Sequence, residues 1–168
     1  MTHTPTPPRI FLEPGELFFG CAPLRIATLL GSCVSIALWH PRRHLGGMCH
    51  YVLQRRQNSH ANAADGRYGD EAFALLLEQI HAHGSRPGEF QAKLFGGGIM
   101  FSGSGTLPDI GSGNVALGRR LLQEAGIPLI SEHVGGTGRR KLTFDLETGH
   151  VWLAFPNGKG AHRRSPHG

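Results

Sequence analysis

The chain reads as an α/β (α+β) protein in which two helices pack on a largely antiparallel sheet system. Three observations lead there. Short apolar runs bounded by turn residues, the pattern of strands, outnumber the helical segments. The two segments with helical periodicity are interspersed among those runs rather than gathered at one end. Glycine, at 25 of 168 residues, punctuates the chain with tight turns and close backbone approaches.

Residues 1–8, rich in Thr and Pro, read as a disordered or polyproline-like lead-in. Strands are expected at Gly15–Phe19, Arg25–Leu30, Val34–Trp39 and Gly47–Leu53, the last two joined by a hairpin-type connection at His40-Pro-Arg-Arg-His44. A helix is expected over Gly69–His83, with Phe73, Leu76, Leu77 and Ile80 on one face and Gly84 as its stop. A strand at Gln91–Phe95 runs into Gly96-Gly97-Gly98. A second helix follows over Gly113–Ala125, with Val115, Leu117, Leu121 and Leu122 apolar and Gly126-Ile-Pro128 ending it. The rest reads as a strand, Leu129–Val134, and a hairpin, Lys141–Leu146 with His150–Phe155, turning at Glu147-Thr-Gly149. Residues 157–168 form a basic, frayed tail. One domain, 9–156, lies between the two ends, and no internal repeat interrupts it.

Composition narrows the class. With 39% hydrophobic and 17% charged residues the chain suits a globular protein rather than a disordered one. No apolar stretch is long enough to span a bilayer, and the N-terminus lacks the features of a signal peptide, so a cytoplasmic location without membrane insertion is expected. The formal charge of +5 sits in clusters such as Arg42-Arg43, Arg55-Arg56 and Arg139-Arg140-Lys141. No interleaved aromatics accompany them, so they read as solvated faces rather than a nucleic-acid site. Cys21, Cys33 and Cys49 form no CxxC pair and suggest no disulfide framework. His81 and His83 lack metal-ligand spacing and no carboxylate or Cys cluster joins them, so no metal and no cofactor is expected.

The chemistry is concentrated in Thr28-Leu-Leu-Gly-Ser-Cys33-Val. A strand ends in a Gly31-Ser32 turn that lifts Cys33 to the start of the next element. Backbone N–H groups around such a turn can hold an oxyanion and stabilise a thiolate. Taken alone, Cys33 fits a small buried residue at a strand start better than a nucleophile. In Leu45-Gly-Gly-Met-Cys-His50, the histidine falls on a strand expected beside that of Cys33, where an imidazole could take the thiol proton. Thr28 is a candidate to orient that imidazole through its other ring nitrogen. With eleven histidines in the chain, His50 also fits a satisfied core or surface residue.

Leu30-Gly-Ser-Cys-Val34 followed by Gly46-Gly-Met-Cys-His50 resembles the CheD family of chemoreceptor glutamine deamidases. Further along, Lys93-Leu-Phe-Gly-Gly-Gly98 with Met100-Phe101, Ile110-Gly-Ser-Gly-Asn114-Val115, Val134-Gly-Gly136, Gly138-Arg139-Arg-Lys and Thr148-Gly149 resemble the family's later motifs in order. The resemblance spans about residues 10–155. It implies a layered α/β sandwich related to the catalytic domain of cytotoxic necrotising factor toxins, and a Cys–His–Thr triad carried onto Cys33, His50 and Thr28. It also implies methyl-accepting chemotaxis receptors as substrates and a CheC-type phosphatase as a further partner. The chain departs from the family pattern after the histidine, reading Tyr51-Val-Leu-Gln54, and it carries Cys49 beside the histidine as a second thiol.

Deamidation is acyl transfer from a carboxamide, and the residues supply its parts: Cys33 as nucleophile, His50 as base and acid, Ser32 and Gly31 at the oxyanion turn. The segments Gly96–Gly98 and Gly135–Gly136 are expected either to border a shallow substrate groove or to be tight turns. Two other functions use the same residues: an adaptor that binds receptors or a phosphatase, and a methylesterase or small-amide hydrolase.

Overall fold

The computed structural model describes residues 5–57, 63–100 and 109–156, and the backbone of Arg163–Arg164. Residues 1–4 of the lead-in, Phe101 and all the tail but those two arginines fall outside the described residues. The strands are β1 (Arg9–Leu12), β2 (Leu17–Cys21), β3 (Arg25–Leu30), β4 (Val34–His40), β5 (Leu45–Cys49), β6 (Gln91–Gly96), β7 (Leu129–Val134), β8 (Arg140–Asp145), β9 (Val151–Ala154) and β10 (Arg163–Arg164). The helices are α1 (Gly69–Ala82) and α2 (Ile110–Ala125).

The strands form two five-stranded sheets, ordered β1-β3-β8-β9-β10 and β2-β5-β4-β6-β7. The pairs β1–β3 and β6–β7 are parallel and the rest antiparallel. Alternation along β4 shows how the layers stack. Val34, Ile36 and Leu38 join Phe73, Leu76, Ile80, Leu117 and Leu122 of the helices in one core. Ala37 and Trp39 face Ile26, Leu30, Leu142 and Phe144 of the first sheet in the other. The second sheet is therefore the middle layer, with helices on one face and the first sheet on the other.

Helix α1 starts where expected and carries Asp70 and Glu71 in its first turn, matching the helix dipole. Helix α2 begins three residues earlier than expected, because Asp109 Oδ1 accepts from Ser112 N at 3.0 Å and caps it. The glycines of Ile110-Gly-Ser-Gly disguised that turn of helix. Gly118 serves close packing: a Cβ there would lie 2.8 Å from the Tyr51 hydroxyl oxygen and from Leu94 Cδ1. Strand β1 was not foreseen. Four residues are too few to show a period, and the strand is held by its parallel pairing with β3. The expected strand Gly47–Leu53 is split: β5 stops at Cys49, and Tyr51 and Leu53 make isolated bridges to Val34 and Tyr68.

Candidate active site

Because β3 lies in one sheet and β4 in the other, Gly31-Ser32-Cys33 is the crossing between layers. Three bonds clamp the crossing from below. Gly98 N donates to Gly31 O at 2.9 Å, Gly97 N to Cys33 O at 2.9 Å, and Asn114 Nδ2 to Ser32 O at 3.3 Å. In a trans peptide the N–H points opposite to the preceding carbonyl. With the Gly31 and Ser32 carbonyls turned into the scaffold, the amides of Ser32 and Cys33 turn away from it.

Gly96–Gly98 do not border an open groove. All three are buried, and a Cβ on Gly96 would lie 2.1 Å from Cys33 O. Gly96 also has φ of +107°, which a side chain would strain. These glycines let β6 run directly beneath the Cys33 turn. Gly135 and Gly136 are at least partly exposed, have positive φ and form a turn whose Gly136 O accepts from Ile99 N at 2.8 Å.

The β4–β5 register, in which Ala37 faces Met48, continues to the Val34–Tyr51 bridge. It therefore sets Ser35 opposite His50 and Cys33 opposite Val52. Both pairs project away from the helices, so Cys33 and His50 are diagonal neighbours on the face toward the first sheet. His50 is held at its backbone by Glu16 O and Gly15 N, and it is 2% exposed.

From the first sheet, Thr28 reaches across. Its Oγ1 lies 2.7 Å from Leu12 O on β1 and 2.7 Å from His50 Nδ1. A hydroxyl has one proton and a carbonyl only accepts, so the Thr28 proton goes to Leu12 O. Oγ1 must then accept from Nδ1–H, which leaves Nε2 of the neutral ring as a lone pair. That atom is buried and has no hydrogen-bond partner among the described residues, and the same holds for Ser35 Oγ opposite. Burial lowers the His50 pKa to about 4, so the ring is neutral at neutral pH. Burial also raises the half-buried Cys33 thiol, partly offset by a backbone hydrogen bond. Thiol and imidazole are thus both neutral at rest.

Cys49 is no rival to Cys33. It is fully buried in the helix-side core and pushed up to about 12 by burial, whereas Cys21 is exposed. Asn114 is a further support of the turn. Its Nδ2 also donates to Val52 O at 2.8 Å, tying the Cys33 turn to the segment that follows His50. Its signal was a lone polar residue on the face of α2 that carries Leu117, Leu121 and Leu122. Among the described residues no group of three metal-ligating side chains exists, and no helix is long and apolar enough to cross a membrane.

Comparison with known proteins gives this site its context. A family model described as CheD chemotactic sensory transduction matches residues 53–155. A protein of Dechloromonas aromatica named "Probable chemoreceptor glutamine deamidase CheD 3" is 59% identical over 95% of this chain and 94% of its own length. The chain belongs to the CheD family. Two further CheD relatives bear the same deamidase name. One from Chromobacterium violaceum is 45% identical, covering 86% of this chain and 76% of its own. One from Pseudomonas syringae pv. tomato is 42% identical, covering 86% and 87%. The family model begins after Thr28, Cys33 and His50, whereas the alignment to the Dechloromonas CheD spans nearly the whole chain.

Proposed function

We propose that this CheD protein deamidates glutamine side chains of chemoreceptors, with Cys33 as nucleophile, His50 as base and acid, and Thr28 as the residue that orients His50. The observation that carries the reading is the Leu12–Thr28–His50 relay, which holds the ring proton on Nδ1 and leaves Nε2 as a buried lone pair.

His50 Nε2 takes the Cys33 proton as sulfur attacks the carboxamide carbon. Charge on the former carbonyl oxygen is met by the outward amides of Ser32 and Cys33, a contribution of roughly 10²–10³ in rate per donor. The proton on Nε2 then passes to the nitrogen as the C–N bond breaks, releasing ammonia and leaving a thioester. Water, giving a proton to Nε2, attacks the thioester; the C–S bond breaks, the proton returns to sulfur and glutamate remains. Because both groups start neutral, the base works during attack rather than from a stored ion pair. The same reading makes the chain cytoplasmic, takes a CheC-type phosphatase as a further partner and relates the fold to cytotoxic necrotising factor catalytic domains.

Mass analysis of a receptor cytoplasmic fragment, incubated with wild type and with Cys33→Ala, tests the proposal. Gln-to-Glu conversion at defined sites with wild type alone is expected. No conversion by wild type, with the fragment still bound, would move the reading to an adaptor.

A further inference from the structure

Ser35 is a polar side chain near Cys33 that attack on the carboxamide leaves unused. It is fully buried, on the face of β4 that alternates away from Val34, Ile36 and Leu38 and carries Ala37 and Trp39. That face belongs to an apolar layer: Phe95 stands beside Ser35 on β6, and Leu30 and Leu142 lie in the same core. Yet Ser35 Oγ has no hydrogen-bond partner among the described residues. A hydroxyl held in such a layer with nothing to bond is a cost to folding, so it points to a ligand or a step in the chemistry.

The second such atom, His50 Nε2, belongs to its cross-strand neighbour. Val34 N donates to Tyr51 O and Tyr51 N to Val34 O, both at 3.0 Å, so Val34–Tyr51 is a hydrogen-bonded pair. Ser35–His50 is then the next pair, of the close, non-hydrogen-bonded kind. The Cβ atoms of such a pair stand about 4.5–5.5 Å apart on one face. Even so, Ser35 Oγ and His50 Nε2 make no direct bond. A ring nitrogen that only accepts and a hydroxyl that can accept, side by side and unjoined, are the partners a buried water takes. A water giving one O–H to Nε2 and the other to Ser35 Oγ keeps both its lone pairs free. Cys33, two residues before Ser35, packs against the same apolar layer, so an acyl group on its sulfur is carried beside that water.

From this we infer that Ser35 Oγ and His50 Nε2 together seat the water that hydrolyses the Cys33 thioester. The inference rests on the deamidase reading and deepens it by assigning Ser35 to the second half of the reaction. The water's oxygen bonds to the thioester carbon as one of its protons passes to Nε2. The C–S bond breaks with its electron pair on sulfur, and the Nε2 proton moves to that sulfur. Ser35 keeps its own proton throughout and fixes the direction of the water. It takes no part in attack by Cys33 or in release of ammonia, so its loss separates the two half-reactions.

The test compares wild type with Ser35→Ala, both as full chains, in rapid-quench reactions with a receptor cytoplasmic fragment. Ser35→Ala removes one oxygen and no hydrogen bond within the protein. Ammonia from the first turnover should appear at the wild-type rate. Hydrolysis should slow by roughly 10- to 100-fold, the scale of a misplaced reactant. An enzyme–fragment thioester then accumulates and is read by mass on the Cys33 peptide. Hydroxylamine, a nucleophile that needs no seat, should cleave that thioester equally fast in both proteins. Unchanged hydrolysis would overturn the inference, and so would hydrolysis and first-turnover ammonia slowed by the same factor. p-Nitrophenyl acetate gives a reading that needs no receptor. It places an acetyl group on Cys33, whose decay, followed by peptide mass, should be slower in Ser35→Ala by a similar factor. If wild type converts no fragment, the deamidase reading fails by itself; equal decay of the acetyl group in the two proteins is what refutes the water seat.

Discussion

At the scale of single residues, Thr28 has two bonds and one proton, and that arithmetic sets the ring state of His50. Thr28→Val removes the acceptor for Nδ1–H and strands the Leu12 carbonyl. The imidazole is then free to place its proton on Nε2, where it can no longer act as base. Turnover should fall by roughly 10²–10⁴, the range of the general acid–base contribution, with KM for the receptor fragment nearly unchanged. Thr28→Ser, which keeps the hydroxyl, should recover most of it. Nitrogen NMR of the His50 ring would show the protonated atom move from Nδ1 to Nε2 in the valine variant. Retention of the Nδ1–H form together with full turnover would refute the relay.

At the scale of elements, α2 reaches the Cys33 turn through one side chain, Asn114. Asn114→Ala leaves Ser32 O and Val52 O without their donor, a loss of about 1–3 kcal/mol if either stays buried. The Cys33 turn loses its tie to the segment after His50, so kcat should drop more than stability alone accounts for. Asn114→Asp, with no donor pair, should not rescue it. A variant that melts at a lower temperature yet turns over normally would show the clamp to be purely structural. The same helix shows what the sequence makes legible. Its C-terminal stop at Gly126 was readable, as was the whole of β3, because punctuation and apolar period agree there. Its start was not, since glycines at 111 and 113 imitate a loop, and Gly111 is there for close packing against the Gly97 backbone. Cys33 and His50 could be picked out from residue type and motif order. The relay's last member, a backbone carbonyl on the four-residue β1, has no side-chain signature at all. Gly96–Gly98 were visible as special positions, but only the structure separates a floor under the turn from the wall of a groove.

At the scale of the whole molecule, holding an uncharged histidine in the interior links folding to acidity. The His50 pKa is about 4 in the folded protein against 6.5 as its ordinary value. Between those values the unfolded chain binds a proton that the folded one refuses, so this group's contribution makes stability rise with pH. Urea midpoints should therefore decline as pH falls from about 6.5 to about 4, and His50→Gln should flatten that decline. An equal slope in both proteins would place the linkage elsewhere. The crossing from β3 to β4 has a separate bearing on biosynthesis. Thr28, Cys33 and His50 are all translated well before β8, the strand that flanks β3 in its sheet. A nascent chain thus carries the thiol before the layer that holds Thr28 against His50 can be completed, and the candidate site is assembled only once β8 has emerged.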